Sequence, residues 1–127
     1  MYTANPYNAY KQNSVNMASK ENLLLMLLDG AVKYTKIARI SIEKKDMARA
    51  HKELVRVQDI FLELMITMDK SAGSYMEDVY NLYDFIKNEL IRANMKKDIE
   101  IIDNILPLIE EIRDMWYEVD KKIKTGK

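Results

Sequence analysis

DMARAHKELVRVQDIFLELMITMD, residues 46–69, decides the fold class. Within it Ala50, Leu54, Val57, Phe61, Leu64 and Met68 recur at alternating steps of four and three, an unbroken heptad stripe along one side of a helix. Asp46 stands just ahead of the stripe, where a side-chain oxygen can accept from a backbone N–H of the first turn. The segment therefore predicts a helix capped by Asp46 and running to about Asp69.

Working outward, the same pattern appears three more times. Upstream, Ser19 is placed to cap a helix reaching about Lys44, with Leu24, Leu27, Ala31, Ala38 and Ile42 on one face. Downstream, Lys70 to Gly73 carries no apolar period and turns the chain, and Ser74 with Glu77 spells a capping box. The third stripe is Met76, Val79, Tyr83, Ile86, Leu90 and Ala93, with a stop expected near Asn94, a residue that tolerates the left-handed conformation. Asp98 can then cap a fourth helix whose stripe is Ile102, Ile105, Ile109, Ile112, Trp116, Val119 and Ile123. Pro107 lies inside this helix and removes one backbone donor, so a bend or a lost turn is expected there. Four stripes imply one shared core. Helices of about 22 to 26 residues are each roughly 35 Å long, and short connections favour antiparallel neighbours. The reading is all-α: an antiparallel, up-down-up-down four-helix bundle over residues 17–127 as a single domain. Residues 1–16, rich in Tyr, Asn and Ala and containing Pro6, show no sustained period. They read as a flexible N-terminal arm or cap, with one short helical turn around Tyr7 to Lys11.

Composition narrows the function. Lys+Arg and Asp+Glu number 20 each, so no global field draws the chain to nucleic acid or to an anionic membrane. The longest apolar run, Leu23 to Leu28, is far short of the roughly 20 residues that span a bilayer, so no direct membrane insertion is expected. The N-terminus lacks the charged and apolar regions of a secretory signal, and the absence of Cys excludes a disulfide framework and a thiolate metal site. A cytoplasmic location is the expectation.

The residues that carry chemistry in other bundles are missing or alone. Di-metal bundle sites take a Glu-x-x-His pair from each of two helices, and His51 is the only histidine. The same solitary His51, between Ala50 and Lys52, reads as a surface residue rather than part of a Ser-His-acid triad. Glu110, Glu111 and Asp114 share a helix face but lie beside Arg113, which describes a solvated, salt-bridged surface. Gly30, Gly73 and Gly126 are isolated, so no phosphate-cradling loop exists. No catalytic, cofactor or metal site is expected, and the chain reads as a binding protein rather than an enzyme.

Every helix also carries apolar residues outside its stripe, among them Leu23, Met26, Leu62, Met65, Ile66, Tyr80, Leu82, Phe85, Leu108 and Met115. Some widen the core; the rest leave grooves of the kind that accept an amphipathic partner helix. Nine Met and eight Tyr point the same way, since Met repacks around different shapes and Tyr joins an apolar body to a polar tip. A homodimer, with the surplus buried between two copies, is the alternative these residues leave open.

MYTANPYNAY at residues 1–10, MASKENLLLMLLDGAVKYTKIA at 17–38, LYDFIKNELIRANMKKD at 82–98 and Trp116 occur in one order and spacing. Together they resemble the flagellar secretion chaperone family FliS over nearly the whole length. Two departures stand out: KSAGSY at residues 70–75 has one Gly where relatives often have a pair, and Pro107 falls where the helix usually continues. The resemblance implies a bundle capped by its N-terminal segment. It implies a ligand, the disordered C-terminal segment of flagellin, which becomes helical in apolar grooves and is kept from polymerising before export. It also implies that the arm is displaced by flagellin, and that the positions of Tyr7 and Tyr10 contact the export gate protein. A co-chaperone or flagellin-level regulator is a further expected partner. Joined to the residue-level reading, this makes Tyr7, Tyr10, Met65, Met68, Tyr80 and Tyr83 the candidate partner-binding set, the arm competing with flagellin for apolar surface near the last four.

Overall fold

A computed structural model describes residues 20–125, and these form four helices and one 3-10 turn. We label the helices α1 (Lys20–Glu43), α2 (Met47–Ile66), α3 (Tyr75–Lys96) and α4 (Ile99–Thr125); the 3-10 turn, Lys70–Ala72, lies between α2 and α3. No strand occurs among the described residues.

The helix boundaries follow from local chemistry. Asp46 caps α2 as its position predicts, its carboxylate accepting from the Arg49 N–H at 3.1 Å. Asp98 does the same for α4, accepting from the Glu100 N–H at 2.9 Å. The capping box expected at Ser74 does not form. Ser74 itself has helical backbone angles, φ −66° and ψ −27°, so its hydroxyl is not aimed at the first-turn amides and makes no capping bond. Two turns are made without the expected Gly or Asn. Lys45 (φ 64°) and Lys97 (φ 50°) adopt the left-handed conformation just past α1 and α3, and the amides of Asp46 and Asp98 close back onto the carbonyls of Ser41 and Ala93. The α3 stop therefore falls at Lys96 and Lys97, not at Asn94. The helix α4 runs through Pro107 without losing a turn. The proline is on its exposed side, away from the packed stripe.

Cross-helix pairs fix the topology. Asp29 with Tyr117, Lys36 with Glu110 and Arg39 with Asp103 run in opposite directions along α1 and α4. Tyr34 with Arg56 and Gly30 beside Ile60 do so for α1 and α2, and His51 with Asn94 and Phe61 with Tyr83 for α2 and α3. Helices adjacent in sequence pack together, α1 also packs on α4, and the backbones of the diagonal pairs stay farther apart. This is an antiparallel up-down-up-down bundle.

The four heptad stripes meet at its centre. Leu28, Ala31, Ala38, Leu54, Val57, Phe61, Ile86, Leu90, Ile102 and Ile109 are fully buried, and they form one continuous core. One charge enters it. Glu53 is 1% exposed, and it accepts from Arg49 Nε at 2.7 Å and Arg56 Nη1 at 3.1 Å, while the Arg56 guanidinium stacks over the Tyr34 ring. Burial pushes the Glu53 carboxyl up, but the two arginine hydrogen bonds outweigh it and hold the group below the usual carboxylate range. A depressed folded-state pKa contributes stability that is present above the unfolded value, about pH 4, and is lost as pH falls through the folded one. Glu53→Gln is accordingly expected to cost about 1–2 kcal/mol at pH 7. In paired urea titrations, the gap between the two proteins should narrow toward pH 3.

Candidate partner-binding groove

The apolar stripes continue beyond the last packed layer. On α4, Ile109 and Ile112 are buried, Trp116 is half-buried, and Val119 and Ile123 stand exposed at 37% and 59%. At this end α1 and α3 begin and α2 and α4 finish, and the four helices leave a groove of about 520 Å³. Leu23, Leu24 and Leu27 of α1 form one wall, and Leu64 of α2 with Met68, just past the end of that helix, the next. Tyr75 and Met76 of α3 and Trp116, Val119 and Ile123 of α4 complete it. The charged residues Lys20, Glu21, Glu63, Asp69 and Asp120 also line the groove.

Tyr83 and Trp116 give the floor its rigidity. Trp116 Nε1–H donates to the Tyr83 hydroxyl at 2.9 Å, and the Tyr83 ring meets Phe61 edge-on with centroids 5.8 Å apart. Burial pushes the Tyr83 phenol up to about 12, the Trp116 hydrogen bond drawing it partly back, so it stays protonated at neutral pH. Tyr83→Phe removes the acceptor and leaves the indole N–H unpaired in a partly buried site. A loss of about 1–2 kcal/mol is expected, read in a denaturant titration, with secondary structure unchanged in circular dichroism.

Three of the four inter-helix seams are clasped by polar contacts on their outer edges. Arg39 binds Asp103 at 2.6 Å, and Tyr117 donates to Asp29 at 2.6 Å, between α1 and α4. Arg56 lies over Tyr34 between α1 and α2, and His51 meets Asn94 between α2 and α3. Among the described residues the α3/α4 seam is joined instead from within, by the Trp116–Tyr83 hydrogen bond. Along its outer edge Leu82 and Leu108 pack half-buried against the core, and Phe85 and Met115 are 50% and 40% exposed. Helical periodicity puts Leu82 and Phe85 on the α4 side of α3, and Leu108 and Met115 on the α3 side of α4, in line with Tyr75, Val119 and Ile123 of the groove. The same period places the exposed carboxylates Asp78 and Glu111 on these sides as well, so the apolar seam residues run on from the groove beside charged ones.

Of the candidate residues, Met68 and Tyr83 line the groove. Met65 is buried in the core, and Tyr80 lies half-buried on the α2/α3 side with the Lys70 ammonium 4.0 Å from its ring centroid. Tyr7 and Tyr10 fall outside the described residues, as does Ser19. The structure adds Leu23, Leu24, Met76, Trp116, Val119, Ile123 and Asp120 to the site. His51 is exposed and paired with Asn94, Glu110 pairs with Lys36, and Asp114 with Arg113. Among the described residues no three acidic or histidine side chains are grouped to hold a metal ion. No described helix is long and apolar enough to cross a membrane.

Comparison with known proteins gives this surface a context. The family model described as flagellar protein FliS matches residues 3–123. The flagellar secretion chaperone FliS of Bacillus subtilis is 34% identical over 118 residues, covering 93% of this chain and 88% of the relative. That of Salmonella typhimurium is 30% identical over 129 residues, covering 96% and 95%. That of Vibrio cholerae is 26% identical, covering 87% and 85%. A family model matching nearly the whole chain, and relatives at 34% and 30% identity that it covers almost completely, show one family: the chain belongs to the flagellar secretion chaperones of the FliS type.

Proposed function

We propose that this protein binds the disordered C-terminal segment of flagellin in the cytoplasm, covers it, and hands it to the flagellar export gate. The segment folds into an amphipathic helix as it enters the end groove and continues along the α3/α4 seam. Masking, without catalysis, then keeps flagellin monomeric until export. The observation that carries this reading is the apolar lining of the end groove, Leu24, Met68, Trp116 and Val119 among the described residues, with Phe85 and Met115 exposed further along the α3/α4 seam. A soluble chain gains by covering such a surface, and an amphipathic helix fits it in shape and chemistry.

The energetics suit a carrier that must release its cargo. A client that folds on binding spends about 2–5 kcal/mol on ordering, so a large interface can still have a moderate affinity. The N-terminal arm, through Tyr7 and Tyr10, competes for the same surface and later meets the export gate. Deleting residues 2–12 should leave the bundle folded and flagellin affinity equal or higher.

Trp116 is the single tryptophan and sits in the groove, so its fluorescence reports the site directly. Titration with intact flagellin is expected to shift its emission, and flagellin lacking about its last 40 residues should not. Equal responses to both, or tight co-purification with the truncated form, would overturn the proposal.

A further inference from the structure

The core stripe of α4 steps from Ile105 and Ile109 through Ile112 to Trp116, and the next position that faces inward is Asp120. The apolar stripe itself continues at Val119 and Ile123, which are exposed, and the buried side chain of this turn is a carboxylate. Asp120 is 9% exposed and lines the groove. One of its oxygens, Oδ2, pairs with Lys124 Nζ at 3.1 Å; the other, Oδ1, is buried without a hydrogen-bond partner. Such an oxygen is costly to keep, because it has left water and gained nothing in return.

The charges around the groove give it a direction. Among the described residues, Glu21, Asp69 and Asp120 line it together with Lys20. Lys124, which meets Asp120, is 58% exposed at the end of a flexible stem and can follow a turn of the carboxylate. The Asp χ2 torsion is broad and two-fold, so a small rotation brings the free oxygen toward the groove.

We infer that the groove selects a client segment carrying a Lys or Arg among its apolar residues, and that Asp120 is the specificity-determining acceptor for that cation. This rests on the proposed client-binding role of the groove. The apolar walls supply area, and the acidic rim with its unpaired oxygen supplies register: a cation placed one helical turn off leaves the Asp120 Oδ1 without a partner and its own charge buried. The arrangement couples stability to binding. The unbound protein keeps an unsatisfied carboxylate oxygen, and the client satisfies it.

The test uses the full chain with two probes, the C-terminal 40 or so residues of flagellin and a synthetic 18-residue Leu/Ala helix bearing one central Lys or, as control, Gln. Asp120→Asn keeps the shape and removes the charge. It is expected to weaken the flagellin segment about tenfold and to flatten the dependence of affinity on salt between low and high NaCl, without lowering the melting temperature. Lys124→Met releases the carboxylate from its internal partner and should tighten binding several-fold, a gain that misfolding cannot imitate. The Lys peptide should outbind the Gln peptide on the parent protein and lose that advantage on Asp120→Asn. If the flagellin segment binds parent and Asp120→Asn alike, with the same salt dependence, the inference falls while the client reading stands. If the flagellin segment fails on the parent but the Lys peptide keeps its Asp120-dependent advantage, the client reading falls and the inference survives.

Discussion

Phe61→Ala is expected to unfold about 10–20 °C below the parent protein. Phe61 is fully buried in the C-terminal half of α2, edge-on to Tyr83. Truncating a phenylalanine in a packed core removes its transfer energy and leaves a void that neighbours fill only in part, typically about 3–5 kcal/mol. For a domain of this size each kcal/mol moves the midpoint by about 3–5 °C. The loss should reach function as well, because Phe61 steadies the ring whose hydroxyl holds Trp116. Differential scanning calorimetry reads the first effect, and Trp116 emission in the folded variant reads the second.

Met68→Lys is expected to do the reverse, leaving stability nearly unchanged and weakening flagellin about thirtyfold, roughly 2 kcal/mol. Met68 is half-buried on the groove wall, so a longer polar side chain can reach water in the unbound protein. Under a bound helix that escape closes. The new ammonium is then left desolvated, or it takes the acidic rim in place of the client's own cation, and either outcome opposes binding. Calorimetric titration against the C-terminal segment of flagellin measures it; unchanged affinity would remove Met68 from the interface.

The contrast between these two positions explains how far the sequence can be read. Phe61 and Met68 belong to one heptad stripe, and periodicity cannot tell them apart. Phe61 packs in the core against Tyr83, whereas Met68 lies just past the end of α2, which stops at Ile66 rather than near Asp69. Fold class, helix number and most of the core follow from period alone, because four apolar stripes joined by short turns have few ways to be buried. The groove does not follow, since it depends on how far each helix extends past its neighbours. Met65 shows the converse: an off-stripe residue read as surplus is core, because a globular bundle buries a wider face than a strict seam. Asp120 was open to notice in sequence, as a carboxylate four residues after Trp116 on the inward face, but its unpaired oxygen is a matter of geometry. The Ser74 capping box had the right letters and the wrong backbone angles. The Lys45 and Lys97 turns show that a left-handed residue need not be Gly or Asn when the flanking helices fix the path.

The central claim is that the client occupies the end groove and the α3/α4 seam. Methionines mark both ends of the bundle, Met68 and Met76 in the groove and Met47 and Met95 exposed at the far end. Methyl-labelled methionine in the full chain, titrated with the C-terminal segment of flagellin and followed by NMR, separates them. The account predicts large shifts or broadening at Met68, Met76 and the seam residue Met115, with Met47 and Met95 unmoved. Shifts confined to Met47 and Met95, with the groove methyls silent at saturation, would contradict it.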